Sequence, residues 1–196
     1  MGERLRLYHT GFHELRSPDI TVGRENADFG RGFYLSASDA FAGKWVRESR
    51  GRPVYVNAYE LDLFGLTVLR FGRDADWFDY IFQNRRAMPD AHPEADVIIG
   101  PIANDTIYDT LGLMTSGLLD AALSLRLLQL GPCFEQIAIK SGRALRQLTW
   151  LGARTLSHEE LGGFGAELQR ETEEYQRAIA AVLEEENEHS GKEFYQ

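Results

Sequence analysis

The stretch ENADFGRGFYLSAS, residues 25–38, contains the most informative local pattern of this chain. Gly30 and Gly32 flank Arg31, and the apolar run Phe33–Leu35 follows at once, which is typical of a short buried strand after a loop. Glycine at these positions suits a backbone with positive φ or a close approach to a ligand, although a Gly-x-Gly turn between two elements is common. The stretch therefore predicts either a ligand-binding loop or an ordinary tight turn before a strand.

A dinucleotide-binding fingerprint is excluded for this loop. That fingerprint needs the pattern G-x-G-x-x-G after a strand and at the start of a helix. Here the third position is Leu35, and the loop opens a strand. Arg24 and Arg31 are nevertheless available to a phosphate group. The loop is therefore not of the Rossmann type, but it could still recognise a phosphate.

The rest of the chain mixes short strands with helices. The predicted strands cover residues 4–9, 33–35, 54–61, 66–71, 96–99, 135–139 and 154–156. The predicted helices begin after Ser38 or Asp39, after Asp74, at Asn104 or Asp105 toward Leu130, and after Ser157, with a turn or helix over 143–151. Because strict βαβ alternation is lacking, the pattern predicts an α+β fold.

Charge divides the chain into a body and a tail. The 196 residues carry a net charge of -9, and residues 157–196 hold eleven glutamates against three basic residues, so eight of those negative charges lie in the tail. We expect a domain over residues 1–156 and an acidic helical extension over 157–196 that packs on the domain or docks a partner. The near-neutral body excludes a broad basic surface for nucleic acid, although a small basic cleft is permitted.

No targeting or membrane segment is expected. The N-terminus has no apolar segment behind its charges, and the most apolar stretch, residues 111–130, is interrupted by six polar or charged residues. The single cysteine, Cys133, cannot form an internal disulfide, which fits a reducing compartment. We therefore expect a cytoplasmic protein without membrane association.

Neither a zinc site nor a cysteine nucleophile is predicted. His9 and His13 are four residues apart, but Gly11 between them argues against a helix that would align them. Cys133 is flanked by a proline and a phenylalanine and has no neighbouring group that would activate its thiol. His9, at the end of the first predicted strand, is either a structural histidine or part of a ligand site.

Three motifs together resemble those of the ADP-ribosyltransferase superfamily: YHTG at residues 8–11, GRGFYLS at 30–36 and FEQIAI at 134–139. The first two resemble the histidine and tyrosine motifs of the His-Tyr-Glu branch, shared by diphtheria toxin and the poly(ADP-ribose) polymerases. From residue 8 to about residue 148, the chain is also similar to an uncharacterised bacterial family placed in that superfamily. The residues that carry this second similarity are GR at 23–24, Asn26, DFG at 28–30, DVIIGP at 96–101 and ANDT at 103–106. The resemblance implies a split β-sheet core with flanking helices.

The resemblance also implies an NAD site. His9 would hydrogen-bond a ribose hydroxyl, Thr10 or Gly11 would offer backbone groups to the nicotinamide amide, and Tyr34 would stack on the nicotinamide ring. The other residues implied at this site are Arg24, Asn26, Phe29, Gly30, Arg31, Gly32, Asn104 and Asp105. Cleavage of the bond between nicotinamide and ribose develops positive charge on the sugar, as in glycosidases, so a nearby acceptor would stabilise it while a stacked aromatic ring holds the leaving group.

The third catalytic position lies at Glu135 or Gln136. The polymerase motif aligns with Glu135, whereas the nearer bacterial family favours Gln136. Adjacent strand residues face opposite sides, so only one of them can point into the cleft. A glutamate would steady the cation through its charge, whereas a glutamine would keep only the hydrogen bond. We favour Gln136.

Asn104 and Asp105 have a structural alternative as well. Either side chain can cap the helix that follows, which needs no ligand. In the functional alternative, Asp105 orients an acceptor group near the cleft.

The resemblance implies an enzyme that transfers ADP-ribose from NAD to a macromolecule, whether protein, DNA or RNA, and releases nicotinamide. Bacterial members of this size are often toxins or effectors restrained by a partner, so an antitoxin or immunity protein is expected by analogy. Two alternatives use the same site. One is an NAD glycohydrolase, and the other is a non-catalytic module that binds NAD or ADP-ribose.

Overall fold

A computed structural model describes residues 2–45, 51–103 and 121–193, and it confirms an α+β fold. The strands are β1 Arg4–Gly11, β2 Phe33–Ser36, β3 Tyr55–Asp62, β4 Val68–Arg70, β5 Val97–Pro101, β6 Glu135–Ile139 and β7 Leu148–Thr155. The helices in these residues are α1 Asp39–Lys44, α2 Ala75–Arg85, α3 Ala121–Leu128, α4 Gly142–Arg146 and α5 His158–Glu193, with a 3₁₀ turn at Ile20–Val22.

The seven strands form one mixed sheet in the order β4-β5-β6-β2-β1-β3-β7. The β4–β5 pair is parallel, and the other pairs are antiparallel. β1 pairs with β3 along its whole length, from Arg4↔Asp62 to Gly11↔Tyr55, whereas its ladder with β2 consists of the single pair Tyr8↔Ser36. The sheet therefore has two well-paired parts that meet at one residue pair.

The main core covers one face of this sheet. Its residues come from alternate positions on the strands and include Leu7, Phe33, Leu35, Val97, Ile99, Ile137 and Ile139. Because successive side chains on a strand face opposite sides, Tyr34 and Ser36 on β2 face the other side. Ser36 lies directly opposite Gln136 on β6, so Gln136 shares the face of Tyr34.

The predicted starts of three helices are confirmed by hydrogen bonds within each first turn. Ser38 Oγ accepts from the Phe41 amide at 3.1 Å, and Asp74 Oδ1 accepts from the Trp77 amide at 3.1 Å. Before α5, the Glu160 amide donates to Ser157 Oγ at 3.1 Å while the Ser157 amide donates to Glu160 Oε2 at 2.8 Å. This reciprocal pair is the capping box that the sequence predicts.

The prediction for residues 143–151 is wrong in part. α4 ends at Arg146, and β7 begins at Leu148 rather than near Arg154. β7 pairs with β3 from Leu61↔Leu148 to Tyr55↔Thr155, and the Trp150 indole donates to Asn57 Oδ1 at 3.2 Å. The strand is thus extended by its pairing with β3, a partner that local sequence does not reveal.

Contacts divide the chain into two units: Met1–Ile102 with Phe134–Gly165, and Ala103–Cys133 with Ala166–Gln196. In the second unit, the Tyr175 hydroxyl donates to the Leu127 carbonyl at 3.1 Å, and Arg126 pairs with Glu185 and Glu186, each at 2.7 Å. The boundary expected after residue 156 falls between β7 and α5, whereas the contacts divide the chain within α5. Among the described helices, none has the length and hydropathy that a membrane span requires.

Candidate functional site

His9 on β1 makes a hydrogen bond to β2 beside the single residue pair that joins these two strands. Its Nδ1 donates to the Tyr34 carbonyl at 2.9 Å, and its ring packs against Phe33 with 4.7 Å between centroids. Burial lowers the pKa of His9, and the hydrogen bond to Tyr34 offsets this only in part. The imidazole is therefore neutral near pH 7, with Nε2 as a hydrogen-bond acceptor.

Thr10 and Gly11 complete the end of β1. The Thr10 hydroxyl is buried and has no hydrogen-bond partner in the part of the chain that the structure describes. A buried polar atom without a partner is rare in native proteins, because it loses its bond to water without replacement. A Cβ at position 11 would lie 3.8 Å from His9 Nε2, which is an ordinary van der Waals contact, so Gly11 lies beside that nitrogen but packing does not require a glycine there.

Tyr34 ties the glycine loop to β2. Its hydroxyl donates to the Gly30 carbonyl at 2.6 Å and accepts from the Phe29 amide at 3.0 Å. Burial raises the pKa of Tyr34 well above its usual value, and the negative charge of Asp28 adds to this shift. The hydroxyl therefore stays protonated and is fully engaged with the loop.

Packing within the protein accounts for both glycines of this loop. Gly30 has φ 70°, and a Cβ there would lie 2.8 Å from Asn84 Oδ1 and 3.0 Å from Lys140 Nζ. A Cβ at Gly32 would lie 2.8 Å from the Ile139 carbonyl oxygen. The tight turn thus explains these glycines without a ligand.

Gln136, rather than Glu135, shares the face of Tyr34. Gln136 is 6% exposed, whereas Glu135 lies on the opposite face of β6 and is exposed. Gln136 Nε2 donates to Asp28 Oδ2 at 3.0 Å. Asp28 also accepts from Arg85 of α2, with Nε and Nη2 at 3.0 and 2.8 Å from Oδ1. A buried network therefore joins the glycine loop, β6 and α2.

Asp28 and Arg85 were not expected as site residues. Asp28 belongs to the DFG stretch of the glycine loop, but its sequence signal does not distinguish a structural from a functional carboxylate. Arg85 lies at the end of a predicted helix beside Arg86, in a position typical of a solvated cation. Only its side-chain exposure of 7% marks it as part of a buried pair.

The polar residues expected on the glycine loop lie at its surface. Arg24, Asn26 and Arg31 are exposed, and Arg31 is paired with Glu25. Arg24 is close enough to Tyr34 for its charge to oppose the rise in the Tyr34 pKa.

Phe29 is a core residue in this structure. It is completely buried, and its ring stacks with those of Phe71 and Tyr80 at centroid distances of 6.0 and 6.1 Å. Its side chain therefore anchors the loop rather than facing a ligand. Asn104 and Asp105 lie outside the described residues.

Among the residues that the structure describes, no group of three or more histidine, cysteine, aspartate or glutamate side chains is positioned to hold a metal ion. The His9 ring packs on Phe33, whereas the Tyr34 and Gln136 side chains share the opposite face of β2 and β6, so the bond that joins His9 to β2 is to the main-chain carbonyl of Tyr34. Each of these groups can hydrogen-bond or stack on a polar ligand on its own side of the strands.

Comparison with known proteins gives a family but no activity. Residues 5–150 match the model of a family described as protein of unknown function (DUF3990). No curated protein and no solved structure matches the chain. The matched residues include His9, Tyr34 and Gln136 and span well over half of the sequence. The chain therefore belongs to the DUF3990 family.

Proposed function

We propose that this protein is an NAD-dependent ADP-ribosyltransferase, with a split sheet of the ADP-ribosyltransferase type, that transfers ADP-ribose to a macromolecule and releases nicotinamide. The observation that carries the proposal is the position of the three motifs. β6, β2 and β1 bear them, and these strands are consecutive in the sheet although β6 is far away in sequence. Two of these strands, β1 and β2, pair only at Tyr8↔Ser36, and beside that pair His9 Nδ1 donates to the Tyr34 main-chain carbonyl.

The groups near this opening suit NAD as the co-substrate. The buried Thr10 hydroxyl lacks a partner within the described residues, and a polar ligand would supply one. His9 Nε2 is an acceptor for a sugar hydroxyl, and the exposed Arg24 is a cation for a phosphate. The fit thus rests on one unsatisfied atom and on two groups with suitable chemistry.

The proposed role of each side chain follows from the atoms that its hydrogen bonds within the protein leave unused. NAD supplies the bond between ribose and nicotinamide that breaks during transfer. Neutral His9 accepts a ribose hydroxyl through Nε2, and Tyr34 contributes only its ring because its hydroxyl is engaged. Gln136 offers Oε1 as an acceptor near the sugar, where it opposes the developing positive charge as a dipole. The acceptor macromolecule gains the ADP-ribose and loses a proton.

A non-catalytic NAD or ADP-ribose binding module is the second candidate. Gln136 is neutral, and its Nε2 is committed to Asp28. The only glutamate of the motif, Glu135, is exposed on the other face of β6. A site without a carboxylate aimed at the sugar favours binding over cleavage.

The biological setting is part of the proposal by analogy alone. We propose a bacterial toxin or effector that acts in the cytoplasm on protein, DNA or RNA. An antitoxin or immunity protein would restrain it, and the acidic residues 157–196 offer such a partner a negatively charged surface.

The test is nicotinamide release from NAD by the purified full chain, alone and with a bacterial lysate. We expect release that rises with lysate, is abolished in His9→Ala and is unchanged in His13→Ala, a control because His13 is exposed. Circular dichroism verifies that both variants fold. Equal release with and without lysate identifies a glycohydrolase. NAD binding by calorimetry without release identifies the binding module, and absence of both refutes the proposal.

A further inference from the structure

The surroundings of Gln136 determine which way its amide points. Two oxygens that can only accept lie against Nε2: Asp28 Oδ2 at 3.0 Å and the Pro101 carbonyl at 3.5 Å. The amide NH₂ must therefore face them, and Oε1 must point away from them. A glutamate at position 136 would instead bring a second carboxylate against Asp28 in a nearly water-free environment.

Arg85 determines which oxygen of Asp28 remains for Gln136. The guanidinium binds Oδ1 through both Nε and Nη2, and Oδ2 faces Gln136. The side chains of Arg85 and Asp28 are 7% and 6% exposed, so the ion pair is shielded from water. Such a pair holds its geometry because breaking it would leave a buried charge without a partner.

We propose that Asp28 is a positioning residue of the site, which orients the Gln136 amide so that Oε1 faces the ribose of NAD as an acceptor. Arg85 holds Asp28 in place from the opposite side. The inference rests on the proposed function, because it takes Oε1 as the atom that contacts the ligand. It also gives a reason for a glutamine at this position, because its amide donates to Asp28 through Nε2 and still presents Oε1 as an acceptor.

Asp28→Asn is the sharpest perturbation of this arrangement. Asparagine has one side-chain oxygen, and the charged Arg85 competes for it more strongly than an amide does. The NH₂ of residue 28 then faces Gln136, and two donors oppose each other. The Gln136 amide turns over, so Nε2 replaces Oε1 on the ligand side.

The double variant Asp28→Asn with Gln136→Glu provides a rescue. In Gln136→Glu alone, two carboxylates face each other. In the double variant, the amide at position 28 donates to the carboxylate at position 136, and the net charge equals that of the wild type. The second carboxylate oxygen again faces the ligand as an acceptor. Loss in each single variant with recovery in the double variant is not expected from a general loss of packing.

The experiment combines kinetics with NMR on the full chain. For nicotinamide release from NAD, we expect kcat/KM to fall about 10- to 100-fold in each single variant and to recover at least in part in the double variant. The side-chain ¹⁵N signal of Gln136, identified by its loss in Gln136→Glu, shifts in Asp28→Asn. Asp96→Asn is the matched control, because Asp96 is also buried and paired with an arginine, Arg143, but does not contact Gln136.

The outcomes separate this inference from the function on which it rests. A wild type without nicotinamide release refutes the proposed activity. A Gln136 signal that Asp28→Asn leaves unchanged overturns the positioning role, whatever the activity. An active wild type with an equally active Asp28→Asn variant, or a double variant no better than either single variant, overturns it as well.

Discussion

Replacing Tyr34 by phenylalanine removes one hydroxyl that satisfies two main-chain groups of the glycine loop. The hydroxyl donates to the Gly30 carbonyl at 2.6 Å and accepts from the Phe29 amide at 3.0 Å. Both residues are buried, so water cannot easily replace the lost bonds. A buried polar group without a partner costs about 1–3 kcal/mol, and we therefore expect the free energy of unfolding to fall by about 2–6 kcal/mol for the two groups.

Urea unfolding followed by circular dichroism measures this change, and hydrogen exchange at the Phe29 amide localises it. We expect a lower midpoint with an unchanged m-value, together with faster exchange of that amide. Tyr55→Phe is the matched control, because the Tyr55 side chain makes no hydrogen bond within the described residues. A loss below about 0.5 kcal/mol, with Phe29 still protected, would refute the idea that the Tyr34 hydroxyl holds the loop.

Two further predictions concern the same loop and the end of β1. Gly30→Ala and Gly51→Ala both place alanine at positive φ, with φ 70° and 74°, but only at Gly30 would the new Cβ meet other atoms. We expect thermal unfolding to show about 1–3 kcal/mol more destabilisation for Gly30→Ala, and equal losses would contradict the close approach. The pKa of His9 is lower in the folded protein than in the unfolded chain, where it is about 6.5, so the unfolded state binds the proton more readily. This contribution to stability is present above about pH 6.5 and is lost as the pH falls below it toward the lowered pKa of the folded state. The dependence of the urea midpoint on pH should therefore be weaker in His9→Gln than in the wild type, and an identical dependence would contradict the lowered pKa.

Local signals predicted the elements of this fold well where the deciding bonds are local. The alternation over residues 4–9 predicted β1, and Ser38 and Ser157 marked the starts of α1 and α5. A cap bonds an amide only three residues away, so its partner is visible in the same stretch of sequence. β7 was placed too late because its start at Leu148 depends on pairing with β3.

The candidate site was predictable only in part. The pattern of two motifs singled out His9 and Tyr34, and the hydrogen bond between them spans 25 residues. The sequence predicted positive φ or a close approach at Gly30 and Gly32, and both requirements are present in the structure. The neighbouring atoms on α2 and β6 could not be inferred from the sequence. The choice between Glu135 and Gln136 depended on which side of β6 faces Tyr34, and strand register sets that side.

The sequence by itself determined the α+β class and the helix starts, and it predicted either positive φ or a close approach at Gly30, because these follow from bonds and dihedral angles within a few residues. Only the tertiary structure decided that Asp28 contacts Gln136 across 108 residues and that Arg85 lies behind it. Those contacts need the chain to close into a sheet and to exclude water from the pair. The buried core supplies the free energy for that closure, and no local pattern encodes which distant residues it brings together.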